Sequence, residues 1–211
     1  MSRAKVIIVA LVAALAVSVV GSPVASAATA GWMVGGTNLT GTAALATTAA
    51  VDKNGVLRFS SLIIECTGKT LNGVAPLIES TNKGSVTSLG FTGCATVGGK
   101  CTLVGTTINT LPISVEATLD GLLAVTATFK PKAGTLFTTL LFTGATCAFG
   151  NEVLGLSGHV AVLVPTGQDE RTLQQINVAA AGTELFLDES PLTFEGSALL
   201  RLASGKTWSF L

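Results

Sequence analysis

Short runs in which apolar and polar residues alternate recur along most of the chain, and Gly, Asn, Asp or Pro separates them. Alternation with a period of two is typical of strands with one buried face, and few stretches keep the 3.6-residue period of a helix. The pattern predicts an all-β, mainly antiparallel β-sandwich or barrel-like single domain. The strand candidates are Trp32–Thr37, Leu62–Thr67, Val86–Thr92, Leu136–Thr143, Val153–Leu156, His159–Val164, Glu184–Asp188, Leu192–Phe194, Ala198–Leu202 and Thr207–Phe210.

The clearest alternation lies in Leu111–Lys130, on both sides of an Asp-Gly turn signal. A two-residue loop mixes apolar and polar side chains on each face, because a slip of one residue exchanges the two faces. A three-residue loop centred on Asp120 makes one face wholly apolar and pairs Val115 with Val125. We therefore predict a type I turn with Gly121 in the left-handed region.

Two further segments carry local turn or capping signals. The same turn chemistry at Lys53-Asn54-Gly55 predicts a second hairpin, with Val51 opposite Leu57. Asp169–Ala181 has the features of a short helix, with a capping box before it and a Gly after it. The alternative for that segment is a polar loop leading into a strand at Ile176–Val178. The sequence leaves these two alternatives open.

The first residues have the three-part pattern of an export signal. Arg3 and Lys5 precede the apolar run Val6–Val20, and small residues follow a break at Gly-Ser-Pro. The apolar run is shorter than the roughly 20 residues that a spanning helix needs, which favours cleavage over a membrane anchor. We predict a signal peptide, with a signal helix, over residues 1–27 and a secreted β domain over 28–211. No later stretch has the length and hydropathy of a transmembrane helix.

All four cysteines, Cys66, Cys94, Cys101 and Cys147, follow the predicted signal peptide. An even number of cysteines in an exported chain predicts disulfides, and the CxxC-like clusters of a zinc site are missing. A four-residue loop over Thr96–Gly99 sets Cys94 opposite Cys101 and leaves Cys66 for Cys147. Cys66 pairs equally well with Cys94, so the sequence leaves the connectivity open.

Composition narrows the range of partners. Charged residues make up 11% of the chain, well below the roughly 25% of typical soluble domains, so Thr, Ser and Gly must cover much of the surface. Removal of residues 1–27 takes Arg3 and Lys5 from a total of 12 basic and 12 acidic residues, so the mature chain has a net charge of −2. We expect no nucleic-acid partner, because a slightly acidic chain is not attracted to phosphates.

Candidate catalytic residues are few. His159 is the single histidine and heads an apolar strand, where a structural or merely exposed imidazole is more common than a general base. Asp188, Glu189 and Glu195 form a late group of carboxylates, but Asp188-Glu189-Ser190 has the composition of a turn. No nucleophile elbow, HExxH helix, P-loop or dinucleotide fingerprint occurs. The sequence therefore predicts no catalytic, cofactor or metal residue.

Three segments resemble those of uncharacterised secreted bacterial β-rich proteins: Trp32 near the mature start, SLGFTGC and CT within 88–102, and LASGKTWS at 202–209. The resemblance implies no activity. We expect a secreted or cell-envelope protein that is structural or binds an extracellular or envelope partner. The alternatives are an extracellular hydrolase that uses His159 or the late carboxylates, and a membrane-associated β protein.

Overall fold

The structure is a computed structural model, and its described part contains β-strands and turns but no helix. Alternating apolar residues with β-branched neighbours build these strands, as the sequence predicts. The described residues are 31–47, 54–60, 62–72, 77–119, 125–164, 166 and 171–210. The strands are β1 Trp32–Val34, β2 Thr37–Asn38, β3 Thr42–Thr47, β4 Gly55–Phe59, β5 Leu62–Asn72, β6 Leu77–Glu79, β7 Lys83–Val86, β8 Ser88–Val97, β9 Thr102–Leu103, β10 Thr107–Asn109, β11 Ile113–Leu119, β12 Val125–Pro131, β13 Leu136–Thr143, β14 Val153–Val164, β15 Leu173–Leu187, β16 Ser190–Glu195, β17 Ser197–Leu202 and β18 Trp208–Phe210.

Eight strands close into a barrel, in the order β15, β17, β3, β6, β7, β11, β12 and β14, with antiparallel pairing at every step. The ring closes because the two longest strands, β14 and β15, pair with each other. The inner face carries the larger hydrophobic core. Of the sandwich and the barrel, the structure has the barrel, in which no strand of the ring is left with an unpaired edge.

A second sheet extends from one end of this barrel. The first half of β14 and the last residues of β15 extend beyond the ring, where β14 pairs with β13 and β15 pairs with β16. From β16 the sheet continues through β4, β5, β8 and β10, and from β13 it continues to β9. A single residue joins β7 to β8, Thr87, and another joins β16 to β17, Gly196. The second sheet therefore lies against the barrel end from which these strands emerge, and it has its own core.

The terminal strands close the opposite end of the barrel. β1 pairs with β18 and β2, and Trp208 forms a bridge with Arg171 close to the start of β15. The ring centroids of Trp32 and Trp208 lie 6.2 Å apart, and those of Trp32 and Phe210 lie 5.0 Å apart in an edge-to-face arrangement. All three aromatic side chains are buried in the barrel core. The ends of the predicted mature chain thus form the floor of the barrel.

A buried amide links this floor to the barrel wall. Gln174 is buried on β15, and its Nε2 donates a hydrogen bond of 2.6 Å to the main-chain oxygen of Trp208. Gln174→Leu is expected to lower the free energy of unfolding by about 1–3 kcal/mol, because it removes the donor to a buried carbonyl. The matched control is Gln175→Leu, since Gln175 is exposed and should change stability by less than about 0.5 kcal/mol. Urea unfolding of both variants measures the difference, and equal values would contradict the role of the amide.

The predicted hairpin at Leu111–Lys130 exists, but its register is wrong. β11 and β12 pair, and their apolar residues face the barrel interior as predicted. Val115 lies opposite Phe129 rather than Val125, a shift of four residues. An even shift keeps every side chain on its face, so the hydrophobic pattern is unable to detect it. The pairing of β12 with β14 fixes the register instead, and Gly121 lies outside the described residues.

The second predicted hairpin is wrong. Leu57 has Ile64 of β5 on one side and Phe194 of β16 on the other, so no edge is left for Val51. β4 belongs to the second sheet and β3 to the barrel. The local turn signal at Lys53-Asn54-Gly55 was outweighed because β4 pairs instead with the following strand, β5, and with the distant strand β16, and both edges of β4 are then occupied.

The segment predicted as helix or strand is a strand. β15 runs continuously from Leu173 to Leu187, so the helix over Asp169–Ala181 is wrong. The register between β14 and β15 shifts between His159 and Ala161, which marks a bulge in this ladder. Because the shift is odd, the side of β15 that faces inward changes at the bulge. Within the barrel the even-numbered residues of β15 face inward, and beyond the barrel the odd-numbered Leu185 and Leu187 do so.

The four cysteines form two disulfides, Cys66–Cys94 and Cys101–Cys147. The predicted Cys94–Cys101 bridge is wrong and the alternative with Cys66 is right. Cys66 and Cys94 face each other directly on β5 and β8, whereas β9 pairs with β13 and leaves no hairpin between Cys94 and Cys101. The signal peptide over 1–27 lies outside the described residues.

Candidate functional site

A cavity of about 200 Å³ occupies the barrel and continues to the second sheet. Its floor is formed by Trp32 and Trp208 of the terminal strands. Towards the second sheet it is lined by Leu57, Phe91 and Phe194. Leu57 packs against both hydrophobic cores, Phe194 packs against the barrel core, and Phe91 packs against the core of the second sheet. The cavity therefore runs along the barrel between its two covered ends.

The strand pattern explains why the barrel is not filled. An eight-stranded barrel is just wide enough for its inward side chains to fill it or for one small ligand. On β15 and β17 the inward positions facing the cavity are Ile176, Val178, Ala198 and Leu200, which are branched or small. These side chains remain only partly buried although they point inward. The space they leave is apolar, which suits an apolar ligand better than water.

Polar groups gather where the barrel meets the second sheet. Lys69 lines the cavity and is the one residue of its described lining with a formal charge. The Lys69 ammonium donates a hydrogen bond to the main-chain oxygen of Ser197, at the start of β17. Thr110 and Thr138 also line the cavity. The cavity is therefore apolar along most of its wall and cationic at one end.

Three buried polar atoms that belong to residues of the cavity lining have no hydrogen-bond partner among the described residues. They are the indole Nε1 atoms of Trp32 and Trp208 and the hydroxyl oxygen of Ser197. A buried polar group without a partner costs about 1–3 kcal/mol of stability, and such groups are uncommon in folded proteins.

The four cysteines predicted from sequence serve as disulfides, and Cys66 also contributes to the cavity wall. Their thiols are consumed by the bridges, and no free cysteine occurs in the described part of the chain. They hold the second sheet together, because both bridges have buried cysteines in its core. No chemistry beyond this structural role is indicated for them.

The candidate catalytic residues are not assembled into one site. His159 is half-buried and lies opposite Glu184 on the β14–β15 ladder. Asp188 and Glu189 form the exposed turn between β15 and β16, both with positive φ angles, as the turn composition predicts. Asp188 is four residues beyond Glu184, roughly 13 Å along the strand from the histidine position. Glu195 forms an exposed ion pair of 3.4 Å with Arg58.

Metal clusters and membrane-spanning helices are both missing from the described residues. No group of three or more His, Cys, Asp or Glu side chains is placed to hold a metal ion in that part of the chain. The same part of the chain contains no helix that is long and apolar enough to cross a membrane. Comparison with protein families, with curated proteins and with solved structures finds no match to this chain.

Sequence reasoning missed the cavity and Lys69. The alternation of apolar residues predicts which side chains face inward, but it contains no information on the distance between opposite walls. One signal was present: the inward positions of β15 and β17 that face the cavity include the small residue Ala198 and no aromatic residue. Lys69 carried a weaker signal, because it is a charged residue in a chain with few charges.

Proposed function

We propose that this protein is an exported binding protein that holds one small, mainly apolar ligand inside the eight-stranded barrel. The observation that carries the proposal is the apolar cavity of about 200 Å³ between the tryptophan floor and the second sheet. Binding sites for small molecules are typically concave, mostly apolar and provided with a few polar groups. Lys69, Thr110 and Thr138 supply the polar residues of the lining here.

The volume limits the size of the ligand. Engineered apolar cavities of roughly 150 Å³ bind benzene, whereas sites for drug-sized ligands measure about 300–1,000 Å³. A cavity of about 200 Å³ therefore suits a ligand of about eight to ten non-hydrogen atoms. The two disulfides are compatible with an extracellular location, which supports the export that the first 27 residues predict.

Titration with 1-octanol in a calorimeter tests this proposal. We expect a dissociation constant between roughly 100 μM and 1 mM, because burial of eight carbon atoms contributes about 6 kcal/mol, which corresponds to about 40 μM before the costs of association are subtracted. The heat capacity change on binding should be negative. Absence of binding at a ligand concentration of several millimolar would contradict the proposal.

A cavity-filling variant makes the test specific. Ala198 lines the cavity and is the cross-strand neighbour of Ile176 on the adjacent strand. Ala198→Phe places a ring in the cavity and is expected to weaken 1-octanol binding by about tenfold or more. It should cost less stability than the roughly 1–3 kcal/mol of overpacking in a filled core. The matched control is Ala95→Phe, at an exposed position of β8, which should bind 1-octanol as the wild type does. Equal binding by both variants would place the ligand outside the barrel.

A further inference from the structure

We propose, on the basis of the proposed function, that the ligand is an uncharged aromatic molecule of one or two rings that packs against Phe129 and Phe194. Phe129 belongs to the barrel wall, and Phe194 belongs to the end of the cavity near the second sheet. Three properties of the described residues support this assignment. They are the concentration of aromatic side chains around the cavity, the ring surface left uncovered there, and the hydrogen bonding of the polar side chains.

Aromatic side chains are concentrated around the cavity. The chain has nine Phe, two Trp and no Tyr residues, which together make up 5% of its length. Six of these eleven residues line this one cavity: Trp32, Phe91, Phe129, Phe137, Phe194 and Trp208. Aliphatic residues are far more common in the chain and make an equally apolar wall. The composition of the lining therefore favours a ligand that gains from contact with aromatic rings.

The rings around the cavity are not equally covered. The two tryptophans of the floor are 3% and 1% exposed, so neighbouring side chains already cover their rings. Phe129 and Phe194 are only half-buried, although both line the cavity and pack against the barrel core. Phe129 points inward, because its cross-strand partners Val115 and Val160 also line the cavity. These two phenylalanines therefore offer ring surface to a ligand.

Phe194 already takes part in an aromatic contact that a ligand ring can extend. The rings of Phe91 and Phe194 meet edge to face, with centroids 6.0 Å apart and an interplanar angle of 88°. Aromatic pairs favour this arrangement because the positive edge of one ring meets the negative face of the other. A third ring in the cavity gains the same interaction, which a saturated chain of equal size lacks.

The polar side chains of the lining interact with the protein itself. The Lys69 ammonium donates a hydrogen bond to the main-chain oxygen of Ser197, and the Thr110 hydroxyl accepts one of 2.9 Å from a main-chain N–H group. The Thr138 hydroxyl lies 3.5 Å from the main-chain oxygen of Thr139. A charged ligand would give up its hydration to compete with these contacts, whereas an uncharged ligand leaves them intact.

The volume of the cavity selects the probe. Benzene occupies engineered apolar cavities of roughly 150 Å³, and this cavity measures about 200 Å³. One ring with a short substituent therefore fits. Ethylbenzene is such a molecule, and it has the same number of carbon atoms as 1-octanol, so the two ligands bury similar apolar areas.

Calorimetric titration of the mature protein compares ethylbenzene, 1-octanol and phenylacetate at pH 7, where a carboxylic acid is ionised. We expect ethylbenzene to bind about threefold to tenfold more tightly than 1-octanol, because aromatic contacts add to the burial of apolar area. Phenylacetate should bind about tenfold or more weakly than ethylbenzene, because its charge must be desolvated.

Substitutions of phenylalanine locate the ligand ring. Phe129→Leu and Phe194→Leu should each reduce the preference for ethylbenzene over 1-octanol by about threefold or more, because leucine keeps the wall apolar and removes the ring. The matched control is Phe59→Leu. Phe59 is also half-buried and contacts another ring, that of Phe149 at 5.6 Å, but it packs in the core of the second sheet. Its variant should keep the preference within about twofold of wild type.

The outcomes separate this inference from the function on which it rests. If wild type binds ethylbenzene no more tightly than 1-octanol, or phenylacetate as tightly as ethylbenzene, the aromatic inference is overturned and the apolar cavity function stands. The inference is also overturned if both cavity variants keep the preference, or if Phe59→Leu loses it to the same extent. If neither ethylbenzene nor 1-octanol binds to wild type, both proposals fail. Binding of 1-octanol shows that a variant is folded, and if one cavity variant does not fold, the other decides.

Discussion

Replacing Cys101 and Cys147 together by alanine is expected to lower the free energy of unfolding by about 4 kcal/mol. The bridge joins residues 46 positions apart, and its loss releases that loop in the unfolded chain. In the folded protein it ties the start of β9 to the connection between β13 and β14. Urea unfolding of the oxidised protein measures the change.

The second disulfide provides the comparison for this prediction. Cys66–Cys94 closes a shorter loop, with a separation of 28 residues, so its loss should cost about 3.5 kcal/mol. Hydrogen exchange should also distinguish the two. Loss of Cys101–Cys147 should first increase exchange in β9 and β13, because β9 pairs with β13 over two residues only. A change below about 1 kcal/mol, or an opening that starts in the barrel, would contradict the prediction.

Trp208→Ala is expected to lower the free energy of unfolding by about 3–5 kcal/mol, as is typical of a fully buried aromatic residue. Trp208 is 1% exposed, packs against Trp32, and its main chain bonds to Arg171 and Gln174. The large effect follows from its place in the floor of the barrel, where the removed ring leaves a hole next to an existing cavity. Thermal and urea unfolding measure it.

The control for Trp208→Ala is Leu173→Ala, at the nearby start of β15. Leu173 is 41% exposed, so its truncation should cost less than about 1 kcal/mol. Trp208→Ala should also weaken 1-octanol binding, because Trp208 lines the cavity. If Trp208→Ala is as stable as the control, the terminal strands do not close the barrel.

The hairpin of β11 and β12 shows which structural features the sequence predicts and which it does not. Its apolar positions were assigned to the correct face, because a period of two is a property of each strand alone. Its register was wrong by four residues, since an even slip leaves the faces unchanged and only the neighbour β14 distinguishes the two pairings. The predicted strand Leu136–Thr143 coincides with β13, because a run of Leu, Phe and Thr, which favour strands, lies between Gly134 and Gly144.

The disulfides also combine a property that the sequence predicts with one that depends on the tertiary structure. The sequence predicted that the four cysteines pair, from their number and the export signal. The partners depend on which strands become neighbours. Cys66 and Cys94 are partners because β5 and β8 lie side by side, although 15 residues separate the end of β5 from the start of β8. Sequence spacing alone favoured a local bridge between Cys94 and Cys101, which the pairing of β9 with β13 rules out.

The sequence by itself determined that this chain is mainly β, which residues of the Leu111–Lys130 hairpin face inward, and that its cysteines form disulfides. These properties follow from local alternation and composition, which each segment carries on its own. The tertiary structure decided the closure of eight strands into a barrel, the sheet that extends from one end, the disulfide partners and the cavity with Lys69 at its margin. Each of these depends on distances between segments far apart in the chain, and such distances arise only when the β14–β15 pairing closes the ring.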